Sequence, residues 1–99
     1  MRRILAYSTP VDLRKSIDGL VGVVKRVLEE DPLSGSLFGF VNRRGHDVKL
    51  VAWDRRGWCL VAKRLEQGRF HFPSAEAKQE LSLQVFQLLL DGIALGGRP

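Results

Sequence analysis

The residues of this 99-residue chain best suited to chemistry are cations. The tripeptide Arg-Arg-Gly occurs at Arg43-Arg44-Gly45 and again at Arg55-Arg56-Gly57, twelve positions apart, with strand-like sequence between the copies. Residues 42–71 carry Arg43, Arg44, Lys49, Arg55, Arg56, Lys63, Arg64 and Arg69 against only Asp47, Asp54 and Glu66. That segment holds the whole net charge of +5, because the rest of the chain balances eight cations with eight acids. Positive charge gathered in one segment is what a polyanion such as nucleic acid requires of a partner. The plainer alternative is that hairpin tips and strand edges carry Lys and Arg for solubility and to discourage edge pairing. Trp53 and Trp58 fall within the same segment, where an indole can stack on a base or pack between strands.

Catalytic patterns are missing from the sequence. His46 and His71 are the only histidines, and neither belongs to an H-x-E, H-E-x-x-H or Cys-rich ligand pattern, so no zinc site is expected. There is no phosphate-cradling G-x-x-x-x-G-K-[ST] loop and no G-x-S-x-G nucleophile elbow. Asp12, Asp18 and Asp31 do not share a face, whereas metal-dependent strand transfer needs carboxylates converging on metal ions. The expectation is a protein without enzymatic activity, cofactor or metal. Cys59 is the single cysteine and can form no internal disulfide. The N-terminal apolar stretch is only Ile4, Leu5 and Ala6, too short for a signal peptide, and no run reaches membrane-spanning length. A reducing cytoplasm is the expected compartment.

The elements that must position the cations follow from periodicity. With 44% apolar and 27% charged residues, the composition is globular. A single domain is expected over residues 1–94, with 95–99 as a flexible tail. Arg3 to Tyr7 reads as a short strand. Asp12 can cap a helix in which Leu13, Ile17, Leu20, Val24, Val27 and Leu28 share one face, and Pro32 blocks its continuation. Three strands follow, at Leu37–Asn42, His46–Asp54 and Trp58–Leu65. Three-residue loops with glycine in the left-handed position would join them, and that choice pairs Asn42 with His46 and Asp54 with Trp58. In this register Phe38, Phe40, Val48, Leu50, Ala52, Leu60 and Ala62 make an apolar face, while Lys49 lies across from Lys63 on the other. A fourth strand is expected at Arg69–Phe72. A helix should run from about Ala75 to Asp91, with Ser74 as N-cap and Gly92 closing it. Leu83, Phe86 and Leu90 lie on the flank of that helix away from Leu81 and Leu88, and so read as a protein interface. The class is α+β: a short N-terminal strand, a helix, an antiparallel β-meander of three to four strands and a C-terminal helix, both helices on one face of the sheet.

Several stretches together resemble a known family. They are Asp12-Leu-Arg-Lys-Ser-Ile-Asp-Gly-Leu20, Asp31-Pro-Leu-Ser-Gly-Ser-Leu-Phe38, Asn42-Arg-Arg-Gly45, Lys49-Leu-Val-Ala-Trp-Asp54, Gly57-Trp-Cys-Leu60, Lys63-Arg-Leu-Glu-Gln-Gly-Arg-Phe70 and Leu89-Leu-Asp-Gly-Ile93. In this order and over nearly the whole chain, they look like the accessory proteins, often called TnpB, of the insertion sequence 66 family of bacterial mobile elements. The resemblance implies a small factor encoded beside a separate transposase and needed for efficient transposition. It supplies no catalytic residues.

The residues and the resemblance together point to a DNA-binding accessory factor. Arg43, Arg44, Lys49, Arg55, Arg56, Lys63, Arg64 and Arg69 would contact phosphates, with Trp53 or Trp58 available to stack. The expected partners are DNA, as element ends or a transposase–DNA complex, and the transposase of the same element. Self-association is also open, and no membrane is involved. The alternative is a protein-interaction module that docks on the transposase or on itself through its C-terminal helix, without touching DNA. A small nuclease using His46 or His71 as base is the weakest reading, since neither histidine has a partner in sequence.

Overall fold

The computed structural model describes residues 3–92. The chain runs through β1 (Ile4–Tyr7), α1 (Ile17–Arg26), β2 (Leu37–Val41), β3 (Asp47–Trp53), β4 (Trp58–Arg64), β5 (Lys78–Leu81) and α2 (Leu83–Leu90). All five strands join one mixed sheet in the order β4-β3-β2-β1-β5, so the class is α+β. β2, β3 and β4 form the expected antiparallel meander. β1 runs parallel to β2, with α1 in the crossover between them, and antiparallel to β5.

The two helices cover opposite faces of the sheet, which corrects the one-sided packing expected from sequence. Strand residues alternate between faces. Leu5, Phe38, Phe40 and Val51 pack with Leu20 and Val24 of α1. Their strand neighbours Ile4, Ala6, Val41, Val48, Leu50 and Leu81 pack instead with Phe86 and Leu89 of α2. The physical reason lies in the central strands, since Ile4, Leu5 and Ala6 are all buried, as are Phe38 through Val41. A strand apolar on both sides needs cover on both.

Both hairpins are one residue out of the expected register. Val41 pairs with Val48, and Trp53 with Trp58. Such a slip moves every side chain to the other face. Lys49 therefore lies opposite Ala62, and Lys63 opposite Val48. The two lysines are on different faces, and the like-charge pair expected across the sheet does not exist.

The last third of the chain differs further. Residues 69–72 are not a strand, so the meander has three strands, and the sheet's last strand, β5, forms within the segment expected to be helical and pairs with β1 at the opposite edge. Gln79 and Leu81 alternate with exposed Lys78 and Glu80, a two-residue period. The buried Gln79 amide donates to the carbonyls of Ser74 and Glu76. The last helix then begins at Leu83, capped by the Ser82 hydroxyl, which accepts from Val85 N at 3.1 Å. Ser74 caps no helix. At the first helix, Ser16 rather than Asp12 is the N-cap, accepting from Gly19 N. The tail expected at 95–99 lies outside the described residues.

Candidate nucleic-acid interface

The loop between β2 and β3 is built by one side chain. Asn42 Oδ1 accepts from Gly45 N at 3.0 Å and Asp47 N at 3.1 Å, while Nδ2 donates to Asp47 Oδ2 at 3.1 Å. An asparagine that satisfies backbone donors this way defines the turn. Gly45 takes φ +79°, a left-handed conformation that favours glycine. Its carbonyl accepts from Phe70 N at 2.8 Å, and the Arg69 side chain packs beside the position that a β-carbon would take at Gly45. Arg43 and Arg44 stand exposed on this braced loop.

Beneath the loop opens a cleft of about 1110 Å³. Its walls are the segment Pro10–Arg14, the loop, residues 47–49 of β3 and residues 62–64 of β4. The cations lining it are Arg14, Arg43, Arg44, Lys49, Lys63 and Arg64; its acids are Asp12 and Asp47. Both acids are engaged. Asp12 accepts from the Arg14 guanidinium and from Arg14 N, which hold its carboxyl at about 2. Asp47 Oδ1 accepts from Arg64 Nε at 2.8 Å, and this hydrogen bond keeps its carboxyl below the usual range. Lys63 lines the cleft, but its ammonium lies 3.9 Å from Asp91. Among the described residues, Arg43, Arg44 and Lys49 form no ion pair.

The second Arg-Arg-Gly is a different turn at the far end of β3 and β4. Asp54 Oδ1 accepts from Arg56 N and Gly57 N at 3.0 and 2.9 Å, closing a two-residue loop of Arg55 and Arg56. Here the left-handed residue is Arg55, at φ +83°, and not Gly57. The expectation that glycine serves both turns alike therefore holds only for the first. Trp53 and Trp58 pack on each other beside this turn, ring centroids 5.1 Å apart and tilted by 59°, both half-buried. Asp54 Oδ2 also accepts from the Cys59 thiol, raising the thiol's pKa and so keeping it protonated.

The sequence-predicted cations thus divide into groups. Arg43, Arg44, Lys49, Lys63 and Arg64 line the cleft with Arg69 beside the loop above it, and Arg55 and Arg56 sit with Trp53 at the other end. The six residue steps of β3 separate the ends by about 20 Å. Arg14 was missed by sequence reasoning because it reads as the outer face of a helix. The signal for its true place is Ser16 followed by Asp18, a better helix start than Asp12.

The residues expected as a protein interface also separate. Phe86 is buried in the chain's own core, and Leu90 packs against it half-buried, because α2 closes one face of the sheet. Leu83 and Leu88 remain 56% and 41% exposed. Among the described residues, no cluster of three or more His, Cys, Asp or Glu is placed to hold a metal ion, and no helix is long and apolar enough to cross a membrane.

A mixed α+β sheet with a cation-lined cleft defines a small basic module. The model of the IS66 Orf2-like protein family matches residues 2–98, and the chain belongs to that family. Family membership makes it a transposition-associated accessory protein. Two proteins of Sinorhizobium fredii (strain NBRC 101917 / NGR234) are similar to it, Uncharacterized protein y4jC at 36% identity and Uncharacterized protein y4hO at 41%. Each alignment spans 92 residues, 92% of this chain and 79% and 80% of the respective relatives. No solved structure matches the chain.

Proposed function

We propose that this accessory protein is non-enzymatic and binds the DNA backbone through the basic cleft. The observation that carries this reading is that Arg43 and Arg44, on a hydrogen-bonded, glycine-fitted loop, and Lys49, on the adjoining strand β3, are free of ion pairs among the described residues, while the cleft's two acids are already engaged. A guanidinium held on a fixed loop loses little conformational freedom when it meets a phosphate, and it can donate two parallel N–H bonds to it. Arg55 and Arg56 give a second set of contacts along the same duplex. Arg64 and Arg14 act from within their carboxylate pairs, orienting the cleft more than adding net charge. The cytoplasm is the proposed place of action, and the transposase–DNA complex the proposed setting.

The test is a binding titration from about 50 to 200 mM salt with element-end DNA, random DNA and RNA. Backbone binding predicts a linear fall of log K with log salt, with a slope of about −0.9 per phosphate contacted on B-DNA. Binding that is absent at low salt on every nucleic acid would sink the reading. The exposed Leu83 and Leu88 then favour the alternative, docking on the transposase through α2.

A further inference from the structure

The outer edge of β4 is unlike the other edge of the sheet. β5 is only four residues long, and its exposed Lys78 and Glu80 are tied into ion pairs with Glu30 and Arg3. β4 is seven residues long, and six of these are exposed. Cys59, Leu60, Val61 and Ala62 form an uncharged run without proline, with Leu60 40% and Val61 57% exposed on opposite faces. Proteins usually guard such an edge with charges, bulges or brevity. Among the described residues nothing pairs with it.

The free hydrogen-bonding groups can be assigned. Asp54 N donates to Gly57 O, and Leu65 N donates to His46 O. In an antiparallel ladder, hydrogen-bonded and non-hydrogen-bonded pairs alternate. Residues 59, 61 and 63 therefore bond inward to β3, and Trp58, Leu60, Ala62 and Arg64 present their N–H and C=O groups outward.

We propose that this edge pairs with β4 of a second copy, antiparallel about a two-fold axis at Val61, to make a continuous ten-stranded sheet. The axis stands normal to the sheet, so only registers that place a residue opposite its own copy keep the faces matched. Centring on Val61 sets Leu60 opposite Ala62 of the second copy and Trp58 opposite Arg64, whose cation lies on the same face as the indole. It also brings the exposed Glu66 beside the exposed Arg56 of the second copy. Centring on Leu60 sets Arg56 beside Arg64, like against like, and centring on Ala62 sets Lys63 against Val61. Charge complementarity selects the Val61 register. An interface of one strand pair is small, so the dimer forms at micromolar concentration. This inference is independent of DNA binding.

Site-directed cross-linking tests both the partner and the register. In a Cys59→Ser background, Val61→Cys places two thiols on the axis in a non-hydrogen-bonded pair, with α-carbons about 4.5 Å apart, within disulfide range. Mild oxidation should convert most of it to covalent dimer, and Leu60→Cys far less. Wild-type Cys59 should not cross-link, because its copies lie four residues out of register, about 13 Å apart. Sedimentation from about 1 to 100 µM should show wild type shifting from monomer to dimer. Ala62→Pro should stay monomeric with an unchanged circular dichroism spectrum, since its N–H is outside the monomer's own ladder. Should that variant unfold, Val61→Lys, which sets like charges on the axis, takes its place. A wild type that is monomeric throughout overturns the proposal. So do Leu60→Cys cross-linking as well as Val61→Cys, and a dimer that survives in the folded variants, as it would if a different surface formed it.

Discussion

Replacing Arg55 with glycine separates two consequences of one residue. Arg55 holds φ +83° in a two-residue loop, a conformation that costs an L-residue roughly 1–2 kcal/mol. Glycine removes that cost but adds about 0.4–1 kcal/mol of conformational freedom to the unfolded chain. The net expectation is a gain of about 0.8 kcal/mol, which raises Tm by roughly 3–6 °C in a domain of this size. Arg55 is exposed, so little packing is lost. If Arg55 contacts one phosphate, the same substitution shallows the salt dependence of DNA binding by about 0.9 in the log-log slope. Thermal unfolding by circular dichroism and fluorescence anisotropy across a salt series read the two effects on one sample. A variant with Tm below wild type refutes the strain argument. A variant that is stabilised but unchanged in slope removes Arg55 from the phosphate contacts.

The twin glycines should behave differently. Gly45→Ala forces a side chain into the left-handed region and should cost about 1–2 kcal/mol, whereas Gly57→Ala, outside the left-handed region and with open space where the β-carbon would stand, should be neutral or slightly stabilising by urea denaturation. Asp47→Asn removes the carboxylate that Arg64 pairs with, so salt titration should show tighter binding at low salt and a slope steeper by up to about 0.9. Glu30 is depressed chiefly by its hydrogen bond from Lys78, and Asp47 by that from Arg64. Because their folded values lie below the unfolded ones, the stability they contribute is complete above about pH 5 and is lost as pH falls through the folded values. Tm should be level from about pH 5 to 8 and drop below about pH 4.5, with Glu30→Gln showing a shallower drop.

The legible parts of this fold are those where local pattern and tertiary packing agree. The first four strands fall within a residue or two of their expected ends because β-branched and aromatic runs are bounded there by turn residues. Register was not legible, because loop length is set by single side chains. Asn42 closes a loop of four residues and Asp54 a loop of two, although Arg-Arg-Gly follows both. The placement of α2 misled for a related reason. Leu81 continues the helical period of Val85, Leu88 and Leu89, yet it belongs to a strand whose Gln79 is buried through tertiary hydrogen bonds. The clustering of charge and the placing of the two Arg-Arg-Gly turns at opposite ends of β3 were legible from the order of the residues, whereas the separation of Lys49 and Lys63 onto different faces, which depends on register, was not.

The most direct measurement of the central claim is the salt slope of a variant carrying Arg43→Gln, Arg44→Gln and Lys49→Gln. All three cations are free of ion pairs among the described residues, so the substitutions break no observed bridge and the protein should remain folded. With each cation on one phosphate, the log-log slope on random duplex DNA should fall by about 2.7 relative to wild type. Affinity should drop alike on every sequence. A folded variant with wild-type slope and affinity would contradict the account, leaving the cleft as a solvated surface and the charge of this segment without a DNA partner.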